Sequence, residues 1–126
     1  MSRTRPNILV VDDDPSVRML VADVLESDGY DVHAVADGFA ALARVNCLAP
    51  DCIILDVTMP ELSGTQVFER IRKIRPELPV ILVSGYQETD VARNLPSDNR
   101  VLFLHKPYAM DLLLEKVKKM LEEAAG

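Results

Sequence analysis

A parallel α/β sheet with helices on both faces is the fold class that the sequence predicts, on three observations. Five short runs, 8–11, 32–36, 52–55, 80–83 and 101–104, are nearly continuous in aliphatic residues and too short for helices. Runs of that kind suit strands buried on both faces, as in a parallel sheet. Between and after them lie stretches of helical spacing, which gives five strand–helix units of roughly 20 to 25 residues.

The first helix follows 8–11. Val17, Leu20, Val21, Val24 and Leu25 recur at helical spacing, Pro15 suits its first turn and Gly29 its stop. After 32–36 a second helix follows Asp37 and Gly38, with Phe39, Leu42 and Ala43 as its apolar residues. The third begins near Ser63 or Gly64, carries Val67, Ile71 and Ile74 inward, and stops before Pro76. The fourth, about 88–95, is short and runs into a turn-like stretch of Pro96, Ser97, Asp98 and Asn99. The fifth, about 109–123, turns Leu113, Val117, Met120 and Leu121 to the core. No repeat, low-complexity tract or linker interrupts the pattern. Residues 1–126 therefore read as one domain, 48% apolar and able to bury a single sizeable core.

Composition narrows the function. A formal charge of -6 disfavours nucleic-acid phosphate as a partner, since Arg3 and Arg5 cannot supply the basic face that counterion release needs. No run approaches the roughly 18 to 20 apolar residues of a membrane span, and no signal-peptide core opens the chain, so the expected location is the cytoplasm. Cys47 and Cys52 offer neither a zinc spacing nor a disulfide framework and are expected to be buried, reduced thiols. His33 and His105 are expected in structural and surface roles respectively.

In a sheet of this class the loops after the C-terminal strand ends gather along one edge, where ligand sites form. Asp12, Asp13 and Asp14 follow the first strand, Asp56 the third, Ser84 ends the fourth and Lys106 the fifth. Each has an ordinary explanation. Asp14 before Pro15 reads as a helix N-cap, Asp56 as a turn residue, Ser84 beside Gly85 as a turn and Lys106 as a solvated charge. Their conjunction at one edge is harder to reach as four independent accidents. Clustered carboxylates repel one another unless one protonates or a cation intervenes. Mg²⁺ fits, being held by one or two carboxylates with positions left for phosphate oxygens. Beside such an ion an aspartate can attack phosphorus to form an acyl phosphate, with a hydroxyl and an ammonium to stabilise the transferring group.

Four segments then carry a resemblance: "VVDDDP" at 10–15, "LDVTMPELSG" at 55–64, "VSGY" at 83–86 and "FLHKPY" at 103–108. In this order and spacing, over nearly the whole chain, the sequence resembles response-regulator receiver domains of two-component signalling. The resemblance implies a flavodoxin-like (βα)5 sandwich with strand order 2-1-3-4-5. It implies a phosphoryl group taken on Asp56 from a sensor histidine kinase or histidine phosphotransfer protein. Asp12, Asp13, Asp56 and the Thr58 backbone carbonyl would hold Mg²⁺, with Mn²⁺ as a substitute. Ser84 and Lys106 would contact the phosphoryl group, and the Lys106–Pro107 bond would be cis. Phe103 would be the aromatic switch that couples the site to the surface of the fourth helix, fifth strand and fifth helix. That surface would also allow a homodimer. Thr58 and Tyr86, two residues beyond Asp56 and Ser84, occupy positions that in the family border the path of attacking water.

The chemistry so implied is limited to the chain's own phosphorylation and dephosphorylation. A phosphohydrolase with an aspartyl-phosphate intermediate would usually place a second acid where Thr58 stands. A flavin carrier would need a phosphate-binding loop where "DDDPS" presents negative charge. A phosphorylation-independent interaction module is the remaining alternative. "SGY" and "FLxKP" are similar to the receivers of hybrid histidine kinases, whereas Met1 suits a stand-alone receiver. The cognate kinase and the output partner are not encoded in any motif.

Overall fold

A computed structural model of the chain describes residues 5–57, 64–84, 100–105 and 109–125. The fourth predicted helix, Thr58, Tyr86, Lys106 and Pro107 lie outside the described residues. Five strands, β1 (Asn7–Val11), β2 (Asp31–Val35), β3 (Cys52–Asp56), β4 (Val80–Ser84) and β5 (Val101–His105), form one parallel sheet in the order β2-β1-β3-β4-β5. Four helices are described: α1 (Pro15–Ser27), α2 (Gly38–Leu48), α3 (Gly64–Ile74) and the C-terminal α4 (Met110–Ala125), which is the fifth helix of the sequence pattern.

Alternation along the strands divides the interior into two cores. Leu9, Val11, Ile53, Leu55, Val80 and Leu82 face Ala41 and Val45 of α2 and Val67, Phe68 and Ile71 of α3. Ile8, Val10, Cys52, Ile54, Ile81, Val83 and Leu104 face Val21 and Leu25 of α1 and Leu113, Val117 and Met120 of α4. Burial on both faces is why the strand runs are almost wholly apolar. The register of β1 against β3 is pinned at its start by a reciprocal pair. Asn7 N–H donates to the Asp51 carboxylate at 2.7 Å, and Asp51 N–H donates to the Asn7 carbonyl at 2.8 Å.

Helix ends follow local chemistry. Asp14 caps α1, its carboxylate accepting from Ser16 and Val17 N–H at 2.9 and 3.4 Å, while Pro15 spends no donor in the first turn. Gly29, at φ 97°, lets the chain leave α1 in a backbone conformation that a side chain would strain. Asp37 caps α2 through Ala40 N–H at 2.8 Å.

Three side-chain expectations are corrected. The buried face of α2 is Gly38, Ala41 and Val45, whereas Phe39 is 58% exposed and Ala43 is also exposed. Small residues at three- and four-residue spacing face the sheet, which turns Phe39 outward. Leu20 of α1 is 52% exposed, because the inward ridge runs through Val17, Val21 and Leu25 and leaves Leu20 about 100° round the helix from Val21. Cys47 is exposed on α2, and only Cys52 of the pair is buried. Smaller shifts occur at Ile74, exposed at the end of α3, and at the strand ends: β3, β4 and β5 each run one residue further, while β2 starts and ends one residue earlier.

Phe68, absent from the sequence-derived stripe of α3, is among the largest fully buried side chains. It carries the Arg72 guanidinium 5.0 Å from its ring centroid, one turn along the helix. Arg72 donates onward to the carbonyls of Leu78 at 2.6 Å, Arg100 at 3.2 Å and Arg75 at 3.4 Å. One side chain thus ties the end of α3 to the starts of β4 and β5.

Candidate functional site

The register of the sheet brings the predicted carboxylates together. Val11 of β1 is paired with Leu55 of β3, so the residues that follow, Asp12 and Asp56, are neighbours at the C-terminal edge. Asp13 lies at the bend just beyond. Carboxylate oxygens of Asp12, Asp13 and Asp56 all lie within 4.8 Å of one another. Asp12 and Asp56 are buried and Asp13 is exposed.

Local hydrogen bonds fix this loop. Asp12 N–H donates to the Val35 carbonyl at 3.2 Å, continuing the β1–β2 ladder one residue beyond the strand. The Asp12 carboxylate accepts from Asp14 N–H at 2.9 Å, and the Asp12 backbone carbonyl accepts from the Arg18 guanidinium at 2.9 Å. On the far side, Val57 N–H donates to the Val83 carbonyl at 3.0 Å, which holds the chain leaving Asp56 against β4. Among the described residues, no buried side-chain nitrogen or oxygen lacks a hydrogen-bond partner.

Ser84 is fully buried at the end of β4, which runs beside β3 and places the hydroxyl along the same edge as Asp56. Phe103 is half-buried on the α2–α3 side of the sheet, opposite Leu82 in the neighbouring strand. Ser84 pairs with His105, so by alternation the Ser84 and Phe103 side chains belong to one face and to adjacent positions along it. His105 itself is exposed, as expected of a surface residue, and His33 is half-buried.

Four residues of the predicted site are thus gathered at one edge, with Phe103 two residues from it in β5. Arg18 was not among the sequence-derived candidates. On the sequence it is one basic residue in an amphipathic helix, and its reach back to Asp12 depends on how α1 leaves the loop.

The donor set suits a hard divalent cation. Among the described residues it offers only carboxylate oxygens, with no thiol or imidazole that would favour a softer metal, and an ion among the three would relieve their mutual repulsion. A cation held there would leave ligand positions for water or for the oxygens of an incoming phosphoryl group.

Comparison with known proteins agrees with this geometry. The family model described as response regulator receiver domain matches residues 8–118. Over 118 residues the chain is 42% identical to a protein named sensor kinase CckA from Brucella abortus, covering 92% of this chain but 12% of that one. It is 31% identical over 114 residues to sporulation initiation phosphotransferase F of Bacillus subtilis, covering 90% of this chain and 92% of that one. A crystal structure of a CheY-like response regulator receiver domain protein from Methanospirillum hungatei superposes with a TM-score of 0.87 at 31% identity, covering 97% of this chain and 98% of the other. Sequence, topology and the acidic edge converge, and the chain belongs to the response regulator receiver domain family.

Proposed function

We propose that the domain accepts a phosphoryl group on Asp56 from the phosphohistidine of a sensor histidine kinase or a histidine phosphotransfer protein, in a Mg²⁺-dependent step. The observation that carries this reading is the burial of Asp56 with its carboxylate within 4.8 Å of those of Asp12 and Asp13. In the step an Asp56 oxygen attacks phosphorus, the new O–P bond forms as the P–N bond to the donor imidazole breaks, and the imidazole leaves with the electron pair. A bound divalent cation would supply charge neutralisation for the attacking carboxylate and the transferring oxygens.

The chain's own residues divide the remaining work. Asp12, Asp13, Asp56 and the Thr58 carbonyl would hold the cation. Ser84 would donate its hydroxyl to a phosphoryl oxygen, and Lys106, oriented by a cis bond to Pro107, would set its ammonium against another. Ser84 and Phe103 share one face of adjacent strands, so a hydroxyl drawn to the phosphoryl group would vacate space beside the ring. Inward rotation of Phe103 would then remodel the surface of β5, α4 and the segment before β5, which is where an output partner or a second copy would bind. Tyr86 would shield the acyl phosphate from water. A Tyr86→Ala variant is expected to lose its phosphoryl group faster, measured as the decay of phosphorylated protein after donor removal; an unchanged decay would reject that role.

Beryllofluoride, which mimics a carboxylate-bound phosphoryl group, tests the assembled site without a kinase. Fluorine NMR is expected to show bound signals that require both Mg²⁺ and Asp56, and that vanish in Asp56→Asn. Failure of beryllofluoride to bind would point instead to an interaction module that works without phosphate.

A further inference from the structure

We propose that Arg18 is a positioning residue for the carboxylate site: by holding the Asp12 carbonyl it fixes the Asp12–Asp13 peptide so that the exposed Asp13 carboxylate stays aimed at Asp56. The proposal rests on the reading that the three carboxylates take a divalent cation.

Asp13 is the weak member of the set. Asp12 and Asp56 are buried, whereas Asp13 is exposed at a bend. Left alone, its carboxylate would turn to solvent, away from two like charges within 4.8 Å. Its direction is therefore set by the backbone that carries it. That backbone is clamped at every polar group of the preceding residue. Asp12 N–H is held by Val35, its carboxylate by Asp14 N–H, and its carbonyl, the oxygen of the Asp12–Asp13 peptide itself, by Arg18 at 2.9 Å.

The placement of Arg18 supports a local task. It stands four residues past the Asp14 cap, at the N-terminal end of α1, where the helix dipole disfavours a cation. It is half-buried, and its guanidinium reaches back over the start of the helix to a loop carbonyl six residues earlier. A residue needed only for solubility would find a better position on the exposed face of α1. Ligand residues of metal sites are ordinarily steadied by such outer hydrogen bonds, whose removal weakens metal binding.

Mn²⁺ titration followed by the electron paramagnetic resonance signal of the free aquo ion reads this directly, on wild type, Arg18→Met and Arg18→Lys. Wild type is expected to bind one Mn²⁺ saturably. Arg18→Met, which keeps an apolar stem but no donor, is expected to bind about tenfold more weakly. Arg18→Lys, which restores a long cationic donor, is expected to recover most of that loss. Should Arg18→Met fail to fold, by far-ultraviolet circular dichroism, Arg18→Gln, too short to reach the carbonyl, takes its place. A merely structural role would lower the urea midpoint and leave the Mn²⁺ affinity of the folded protein untouched. Unchanged or tighter binding without the guanidinium, or a loss that Lys does not recover, would overturn the positioning role. Absence of saturable binding in wild type would overturn the metal reading beneath it.

Discussion

Cys52 illustrates how far one residue's surroundings govern its chemistry. Cys52 is buried in β3, and burial pushes its thiol from an ordinary value of 9.0 up to about 12. Below pH 9 neither the folded nor the unfolded chain ionises this thiol, and its contribution to stability is fully present. Above pH 9 the unfolded chain releases a proton that the fold retains, so stability falls as pH climbs toward about 12. Tyr30 adds to the same trend, its phenol raised first by burial and then by Asp28. The urea midpoint is expected to drop steadily above pH 9, and to drop less steeply in Cys52→Ala; equal slopes would contradict the assignment. Asp12, Asp56 and Ser84 were legible in the sequence because a polar residue ending an apolar strand run stands out. Arg18 was not, since a basic residue in an amphipathic helix has the same appearance whether it meets water or a loop carbonyl.

At the scale of elements, α3 is joined to the sheet by more than its apolar face. Arg72 stacks on Phe68 and donates to three carbonyls from the end of α3 to the starts of β4 and β5. Arg72→Met keeps the stem but leaves these carbonyls without their charged donor, at an expected cost of about 1–3 kcal/mol in unfolding free energy. Urea denaturation measures it, and a loss within error would show that water replaces the guanidinium at no cost. The existence of each described helix was readable from spacing and caps, with Asp14, Pro15, Gly29 and Asp37 marking ends that the structure keeps. Facing was less readable. In α2 both Phe39–Leu42–Ala43 and Gly38–Ala41–Val45 satisfy helical spacing, and the smaller set is the one that is buried. Periodicity alone does not choose between them.

The whole molecule is organised by its sheet. Two cores, one on each side, hold five parallel strands whose C-terminal ends carry the polar groups, so the site is positioned by the most buried part of the fold. This level was the most legible, because strands buried on both faces read as unbroken apolar runs and leave few topologies open. The length of chain matched also bears on use. The chain spans 12% of the kinase it resembles and 92% of the phosphotransferase. Receiver domains of this size therefore occur both as parts of large proteins and nearly alone, and the phosphorylation chemistry proposed above serves either setting.

Intact mass after incubation with Mg²⁺ and acetyl phosphate, on wild type beside Asp56→Asn, tests the central claim most directly. Wild type is expected to gain the mass of a single phosphoryl group, the gain disappearing when Mg²⁺ is chelated and in Asp56→Asn. No gain in wild type, or an equal gain in the variant, would contradict Asp56 as the phosphoacceptor.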